Sequence, residues 1–283
     1  MIDETGYQTP LYRPPSESES LIVQAVPGCP HNGCVFCGMY KNRSFKKRDI
    51  SLIEQELEEK RNTSGVKRVF IADADPLYCG FEYMNDLLDM LCRKVTDLAR
   101  VSAYANFSSL IRIGPEKLGR LREKKLRTVY TGLESGSDDV LKLMNKKENS
   151  EDAVEASGYL RYSNIKLSTM VLTGLGGKKY SDIHISETVK VLNRMQPDVL
   201  AVLNVYPVSG TILDKRIREG RFFLLETEGV IQELKKLLRT VDLKRCVFRS
   251  DHHSNPMPLR GRLPGEKEKL LCIIEKSETG RNF

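Results

Sequence analysis

Short apolar runs rich in β-branched residues recur along the chain. Each is followed by a longer segment in which apolar and charged positions alternate with a helical period. The runs at 21–26, 68–72, 101–105, 128–133, 166–172 and 199–206 read as strands. They are nearly continuous in apolar residues, the pattern of strands covered on both faces. The segments at 51–61, 82–95, 115–123, 137–144, 150–162 and 181–194 read as amphipathic helices, and two more follow at 226–239 and 265–274. The first helix opens Ser51-Leu52-Ile53-Glu54, the spacing of a capping box. The stretch 1–19, polar and carrying Pro10, Pro14 and Pro15, is expected to be extended. Six strand–helix units in succession predict a parallel sheet wrapped by helices. Periodicity leaves open whether that sheet is flat and doubly wound or curved into a partly closed barrel. In either case ligands gather at the carboxyl ends of the strands.

Composition narrows the class. A chain of 283 residues buries enough core to need no disulfide scaffold. Its seven cysteines are an odd number with three of them clustered, which points to free thiols and a reducing, cytoplasmic setting. The start, Met-Ile-Asp-Glu-Thr-Gly, has no signal-peptide character, and no apolar stretch reaches membrane-spanning length, so no membrane partner is expected. The net charge of +7 permits an acidic partner without demanding one. Basic runs at 41–48 and 120–127 offer a docking place for a phosphate, a carboxylate or RNA, or are solvated faces. Aromatic content of 7% and the lack of a recognisable RNA-binding module disfavour nucleic acid as the partner.

The chemistry concentrates where strands end. Directly after the first strand comes Gly28-Cys29-Pro30-His31-Asn32-Gly33-Cys34-Val35-Phe36-Cys37-Gly38. Cys29, Cys34 and Cys37 can converge on one metal centre and leave a fourth position open, the arrangement of a reactive rather than a structural site. With His31 added, the same loop could instead hold a structural zinc, and the protein would then be a zinc-stabilised, non-catalytic binding protein. The other strands end in Ala72-Asp73-Ala74-Asp75-Pro76, Tyr104-Ala105-Asn106, Thr131-Gly132-Leu133-Glu134-Ser135-Gly136-Ser137 and Leu172-Thr173-Gly174-Leu175-Gly176-Gly177. Cys79 follows the loop after the second strand and could face the site. Cys92 and Cys272 fall in amphipathic helices and read as small core residues.

With these motifs the chain resembles the radical S-adenosylmethionine enzymes over about residues 20–210. The Gly-Leu-Glu-Ser-Gly-Ser stretch at 132–137, followed by Leu141 and Lys146, resembles the branch of the oxygen-independent coproporphyrinogen oxidases and the tRNA methylthiotransferases. The resemblance implies a partial (β/α)6 TIM-like barrel with a C-terminal helical extension: an extended segment at 1–19, a barrel core at 20–210 and an extension at 211–283 that packs on or caps the barrel. It implies an oxidoreductase or transferase with two cofactors, a [4Fe–4S] cluster and S-adenosylmethionine. Reductive cleavage of the sulfonium would give a 5′-deoxyadenosyl radical that takes hydrogen from a substrate, the electron coming from a reduced flavodoxin or ferredoxin. Residue by residue, it implies that Cys29, Cys34 and Cys37 ligate the cluster. Phe36 and the 174–177 turn with Gly174 lie at the adenine, Asp73 or Asp75 meets the ammonium, and Glu134 and Ser135 hold the ribose hydroxyls. Gly38 and Asn106 complete the cofactor-binding set. Two departures stand out. The cysteines are spaced four residues, then two, where three then two is commoner, and the extra residue is accommodated if the loop bulges at Asn32-Gly33. Aspartates replace the family's Gly-Gly-Glu after the second strand, with nothing to choose between them. The late polar segment 248–256, with His252 and His253, is a surface loop or a cover over the barrel mouth. The absence of a second cysteine motif argues against an auxiliary cluster. A tRNA-modifying enzyme of the same family is the alternative within the resemblance.

Overall fold

The structure, a computed structural model, describes residues 7–60 and 62–278, the side chain of Lys60 excepted. The acidic start at 1–6 and Arg61, the expected end of the first helix, lie outside the described residues. Eight strands follow one another across one sheet in chain order: β1 (Leu21–Gln24), β2 (Arg68–Ala72), β3 (Arg100–Tyr104), β4 (Leu126–Glu134), β5 (Lys166–Thr173), β6 (Val199–Asn204), β7 (Cys246–Arg249) and β8 (Arg260–Leu263). The order ends on β1 and β8 without closing, so the sheet is a partial barrel. The helices are α1 (Ile50–Lys60), α2 (Phe81–Lys94), α3 (Phe107–Ile113), α4 (Pro115–Glu123), α5 (Asp138–Leu143), α6 (Ser150–Tyr162), α7 (Gly177–Met195), α8 (Ile212–Arg218), α9 (Thr227–Thr240) and α10 (Lys267–Glu278). Among the described residues no helix is long and apolar enough to cross a membrane.

The chain divides into two compact units. The first comprises the chain up to Asn32 together with 40–131 and 158–167. In it β1, β2, β3 and the start of β4 pair in parallel, with Leu21 opposite Val69, Val69 opposite Val101 and Val101 opposite Leu126. The apolar runs make this possible, because Val69, Phe70, Ile71 and Ala72 are all fully buried and so need apolar side chains on both faces. Helix α2 packs on α1 and α4. Its buried positions Met84, Leu87, Leu88 and Leu91 recur every three or four residues, each worth roughly 1.5–3 kcal/mol of apolar burial. Phe70, Tyr104 and Tyr130 meet edge to face at 5.2–6.0 Å, with Leu11 and Ile22 packed beside them.

The N-terminal stretch departs from the expected extended form. Pro15–Glu17 is a 3-10 turn, and Glu17 is fully buried beneath it. Its carboxylate accepts from the Ser20 hydroxyl at 2.5 Å, the Tyr130 hydroxyl at 2.7 Å and Arg100 at 3.2 Å, which compensates the cost of burying the charge.

The second unit comprises 33–39, 132–157 and the chain from 168 onward. Here β5, β6 and β7 are parallel, and β8 returns antiparallel on β7 with Cys246 opposite Leu263 and Phe248 opposite Gly261. Helix α9 packs on α7 and α10. The extension from 211 is therefore not helical throughout: it adds β7 and β8 to the sheet. Each of those strands is only four residues long, and β8 carries arginine at alternate positions, which hides them from an apolar-run reading. Helices α3 and α8, seven residues each, were equally unpredicted. The helix expected from Ser51 begins at Ile50, and the Ile53 amide donates to the Asp49 carbonyl, so Ser51 lies inside the first turn and is not its cap. Cys272 is exposed and Cys92 half-buried, so neither is the core residue expected; Cys246, on β7, is.

Candidate active site

After β1 the chain turns at Gly28 (φ 88°), where a Cβ would lie 2.7 Å from the Ser44 carbonyl oxygen, so only glycine fits. The returning strand of the loop is laced to the outgoing one by Lys46 N–H to Pro27 O (3.0 Å) and Arg48 N–H to Ala25 O (3.1 Å). Asn32 adopts φ 44° and its carboxamide donates to the carbonyls of Tyr40 at 2.7 Å and Arg43 at 3.3 Å. The loop therefore closes around the position where the four-residue spacing requires a bulge, and asparagine is among the residues that tolerate this conformation. The Asn32 amide also points at the Cys29 sulfur, 3.3 Å away. Cys29, Cys34 and Cys37 are half-buried. Among the described residues, no three histidine, cysteine, aspartate or glutamate side chains are gathered into a metal-holding group, so the structure brings neither the three thiols nor His31 together as ligands.

The two aspartates after β2 differ in kind. Both are fully buried. Asp75 caps the 3-10 turn Pro76–Cys79, accepting the Tyr78 amide at 3.1 Å on one oxygen and the Ser109 hydroxyl at 2.7 Å on the other. Asp73 sits at φ 73°, a conformation L residues seldom adopt. Its Oδ2 accepts from Gln24 Nε2 at 2.7 Å, while Oδ1 accepts no hydrogen bond and faces Arg43 Nη1 at 3.9 Å. Burial pushes this carboxyl up to about 6, against the pull of Gln24 and Arg43. The carboxamide of Gln24 is fixed in turn by the main chain of Gln8, at 2.8 and 3.0 Å. Arg43 is held by the carbonyls of Gln8 and Pro10. Asn106, half-buried, precedes α3 without a side-chain cap bond.

In the second unit, Val35 donates to the Met144 carbonyl at 2.9 Å and accepts the Leu213 amide at 3.0 Å. Phe36 packs on the apolar cluster around Val35, Met144, Leu175 and Val205. A Cβ on Gly38 would lie 2.7 Å from Val208 Cγ1.

The 132–137 stretch is explained almost residue by residue. Glu134 (φ 63°) folds its carboxyl over Gly132, where any Cβ would strike Oε1, and pairs with Lys146 Nζ at 3.7 Å. Burial raises the Glu134 carboxyl above the usual range, with Lys146 opposing. Ser135 is fully buried; its hydroxyl lies 2.7 Å from His184 Nδ1 and accepts the Ser137 amide at 3.0 Å. His184 Nε2 lies 3.0 Å from the Leu172 carbonyl, which can only accept, so Nε2 carries the proton and Nδ1 accepts from Ser135. Burial lowers His184 to about 4, and the ring is neutral. Gly136 sits 2.5 Å, measured from a built Cβ, from the Thr188 Cα, and its amide donates to Thr188 Oγ1 at 2.8 Å. Ser137 caps α5. Gly174 (φ 76°) ends β5, and its amide donates at 2.6 Å to Glu233, a buried residue of α9.

Four further expectations resolve here. The basic stretch 41–48 is divided: Arg43 is turned inward and Arg48 pairs with Glu56 and donates to the Gln24 carbonyl, while Lys41, Lys46 and Lys47 are exposed. The 120–127 run is tied down: Arg120 covers Phe81, and Lys124 pairs with Asp89. Cys79, half-buried at the end of its 3-10 turn, has its thiol pushed up to about 11 by burial. The 248–256 segment is the end of β7 and the turn into β8; Ser254 Oγ accepts the Asn204 amide at 3.1 Å, and Asn255 donates to the Val202 carbonyl at 2.7 Å, so the turn covers the end of β6. Gln24, Arg43, His184 and Glu233 were not singled out from sequence. His184 and Glu233 carried a usable signal, each being a polar residue on the apolar stripe of its helix.

The radical SAM superfamily profile matches residues 23–192. A ribosomal protein uS12 methylthiotransferase, RimO, of Pseudothermotoga lettingae is 28% identical over 76% of this chain and 53% of its own length. The heme chaperone HemW of Bacillus subtilis is 22% identical over 70% of this chain and 54% of its own. The chain thus spans about half the length of these relatives. Among solved structures, coproporphyrinogen III oxidase (HemN) of Escherichia coli superposes with a TM-score of 0.60 over 78% of this chain and 52% of its own, at 19% identity, a likeness of fold. A profile that covers more than half of the chain, on an open and mostly parallel α/β sheet, decides the family: the chain belongs to the radical SAM superfamily, whose members are enzymes that use a [4Fe–4S] cluster and S-adenosylmethionine.

Proposed function

We propose that this enzyme reductively cleaves S-adenosylmethionine at a [4Fe–4S] cluster held by Cys29, Cys34 and Cys37. One observation carries the reading: Asp73, a fully buried carboxylate whose Oδ1 accepts no hydrogen bond, follows β2 on a loop whose Ala74 amide reaches the Gly28 carbonyl, next to Cys29, at 3.4 Å. A buried anionic oxygen without a donor fits an ammonium, and three thiols on one loop fit iron. The group's chemistry, once bound, is one-electron cleavage of the sulfonium to a 5′-deoxyadenosyl radical that takes hydrogen from a substrate.

The chain's own residues bind and orient. Asp73, rather than Asp75, takes the ammonium, since both oxygens of Asp75 already accept hydrogen bonds from Tyr78 and Ser109. Glu134 contacts the ribose hydroxyls. Ser135, whose hydroxyl is engaged by His184 and Ser137, holds Glu134 in place rather than touching ribose itself. Phe36 and the glycine-rich 174–177 turn present apolar surface and bare backbone to the adenine, with Gly38 and Asn106 at the margins of the site. A reduced flavodoxin or ferredoxin supplies the electron. The relatives bear the names of a methylthiotransferase, a heme chaperone and a cyclase of a magnesium porphyrin ester. What transfers to this chain is the cofactor reaction.

Anaerobic reconstitution followed by iron and sulfide analysis tests the reading. It requires about four irons and four sulfides per chain, their loss in the Cys29/Cys34/Cys37→Ala variant, and release of 5′-deoxyadenosine on reduction. Colourless protein holding one zinc would refute it.

A further inference from the structure

The turn after β5 is clamped from the C-terminal extension at three places. Glu233 of α9 accepts the Gly174 amide on Oε2 and the Ser181 hydroxyl on Oε1, both at 2.6 Å. The Phe223 carbonyl accepts the Lys178 amide at 2.8 Å. A Cβ on Gly177 would lie 2.7 Å from that same carbonyl oxygen and 2.8 Å from the Phe222 ring. Glu233 is 3% exposed, although its neighbours on the buried face of α9 are Val230, Leu234 and Leu237. A buried carboxylate on an otherwise apolar stripe is costly, and it persists when its oxygens answer donors that nothing else satisfies. Gly174 and Ser181 are those donors, one at each side of the turn into α7.

The geometry points to Glu233 as a positioning residue for S-adenosylmethionine: from outside the strand–helix core it fixes the 174–177 backbone in the shape that receives the adenine. The inference rests on the proposed function, and it adds that affinity for the cofactor is set from α9. Both donors require an acceptor, so the ionised carboxylate is the working form. Burial raises this carboxyl to about 7, while the Ser181 hydroxyl and the Gly174 amide pull it down. Lys236, one turn along α9, also lowers it, with its Nζ shared between Asp182 and Ser186 of α7. Lys178 and Glu226 pair with each other at the exposed rim.

The test is calorimetric titration of the reconstituted holoenzyme with S-adenosylmethionine from pH 6 to pH 8.5, in wild type, Glu233→Gln and Ser181→Ala. Hydrogen exchange of the 172–178 peptide is followed in the cofactor-free protein. Glutamine offers one acceptor and turns an amide N–H at the other donor. The expected loss is about tenfold in affinity at pH 8, with iron content unchanged and exchange of the 172–178 peptide accelerated. The ratio of wild-type to Glu233→Gln affinity should fall toward one as the pH drops through 7, since protonation removes from the wild type what the substitution removed; titration of Asp73 affects both proteins equally and cancels. Ser181→Ala, a gentler change, should move the midpoint of that ratio to higher pH by deleting a bond to the charged form. If the wild type binds S-adenosylmethionine while Glu233→Gln binds it equally well at pH 8, or if the two differ by a constant factor at every pH, Glu233 is a packing residue and the inference falls. If the wild type itself does not bind, it is the proposed function that fails.

Discussion

Replacing Asp73 by asparagine separates the energetic burden of this residue on the fold from its part in binding. The Asp73 carboxyl is fully buried and raised from 3.8 to about 6, chiefly by desolvation. At about 1.4 kcal/mol per unit, ionised Asp73 burdens the folded state by about 3 kcal/mol. A raised acid pKa means that the folded protein holds the proton more tightly than the unfolded chain. The burden is therefore absent below the unfolded value of 3.8, grows as pH rises, and is complete above about 6. Asparagine is nearly isosteric, tolerates the positive φ at least as well, and can still accept from Gln24. Asp73→Asn should thus stabilise the cofactor-free protein by about 3 kcal/mol at pH 8, roughly 5–10 °C in Tm, and by only about 1 kcal/mol at pH 4.5. The same change should weaken S-adenosylmethionine binding by roughly ten- to a hundredfold, the loss of a charge-assisted bond worth about 1.5–3 kcal/mol. Urea unfolding of cofactor-free protein at the two pH values, paired with calorimetric titration of the reconstituted holoenzyme, measures both effects. A variant no more stable than wild type at pH 8 would refute the buried-charge account. A more stable variant that binds S-adenosylmethionine normally would leave the electrostatics standing and remove Asp73 from the site.

Gly132→Ala should drive the Glu134 carboxyl off its place over residue 132 and weaken S-adenosylmethionine binding about tenfold in calorimetry, with only a small change in Tm, because the residue 132 backbone is not left-handed. Neutral, buried His184, lowered from 6.5 to about 4, makes stability fall as pH drops from 6.5 through 4, by up to about 3 kcal/mol; in His184→Gln that part of the pH–stability slope in urea should vanish. The triple cysteine variant should lose iron and sulfide together while keeping its far-ultraviolet circular dichroism, since the loop is laced by the Asn32 carboxamide and by the backbone bonds of Lys46 and Arg48.

The parts of the fold readable from sequence are those in which one period persists. β2, α4 and α6 end where the apolar pattern ends, and α2 and α9 differ from expectation by one residue at each end. What escaped is short. α3 and α8 make barely two turns, and β7 and β8 span four positions each, with arginine alternating with buried residues in β8, less than any window can distinguish from loop. At the site, the strand-end loops and their residue types were legible because small and polar residues interrupt buried runs there. Which residue faces a ligand was not, because that depends on partners far along the chain. Asp73 and Asp75 are two residues apart and chemically identical; Ser109 and Tyr78 occupy one of them, while Gln24 leaves the other with an open oxygen. The partner of the Ser135 hydroxyl, His184, likewise lies 49 positions away.

Saturation by hydrogen bonds sorts the buried polar groups into two kinds. Asp75, Ser135, His184 and Glu233 have their acceptors and donors matched by backbone or hydroxyl groups, and each fixes a loop at a strand end. Asp73, whose Oδ1 accepts no hydrogen bond, and the half-buried Glu134 do not fit that description. Both are carboxylates held above the usual pKa range by burial, both face a cation at long range (3.9 and 3.7 Å), and both sit at positive φ directly after a strand or as its last residue. A left-handed aspartate or glutamate costs of order 1 kcal/mol, and a poorly paired buried carboxylate costs more. A fold selected for stability alone would place glycine or asparagine at both positions. Under the proposed function these two carboxylates would meet the ammonium and the hydroxyls of the cofactor, and Asp73, whose Oδ1 accepts no hydrogen bond within the fold, would gain there the donor it lacks.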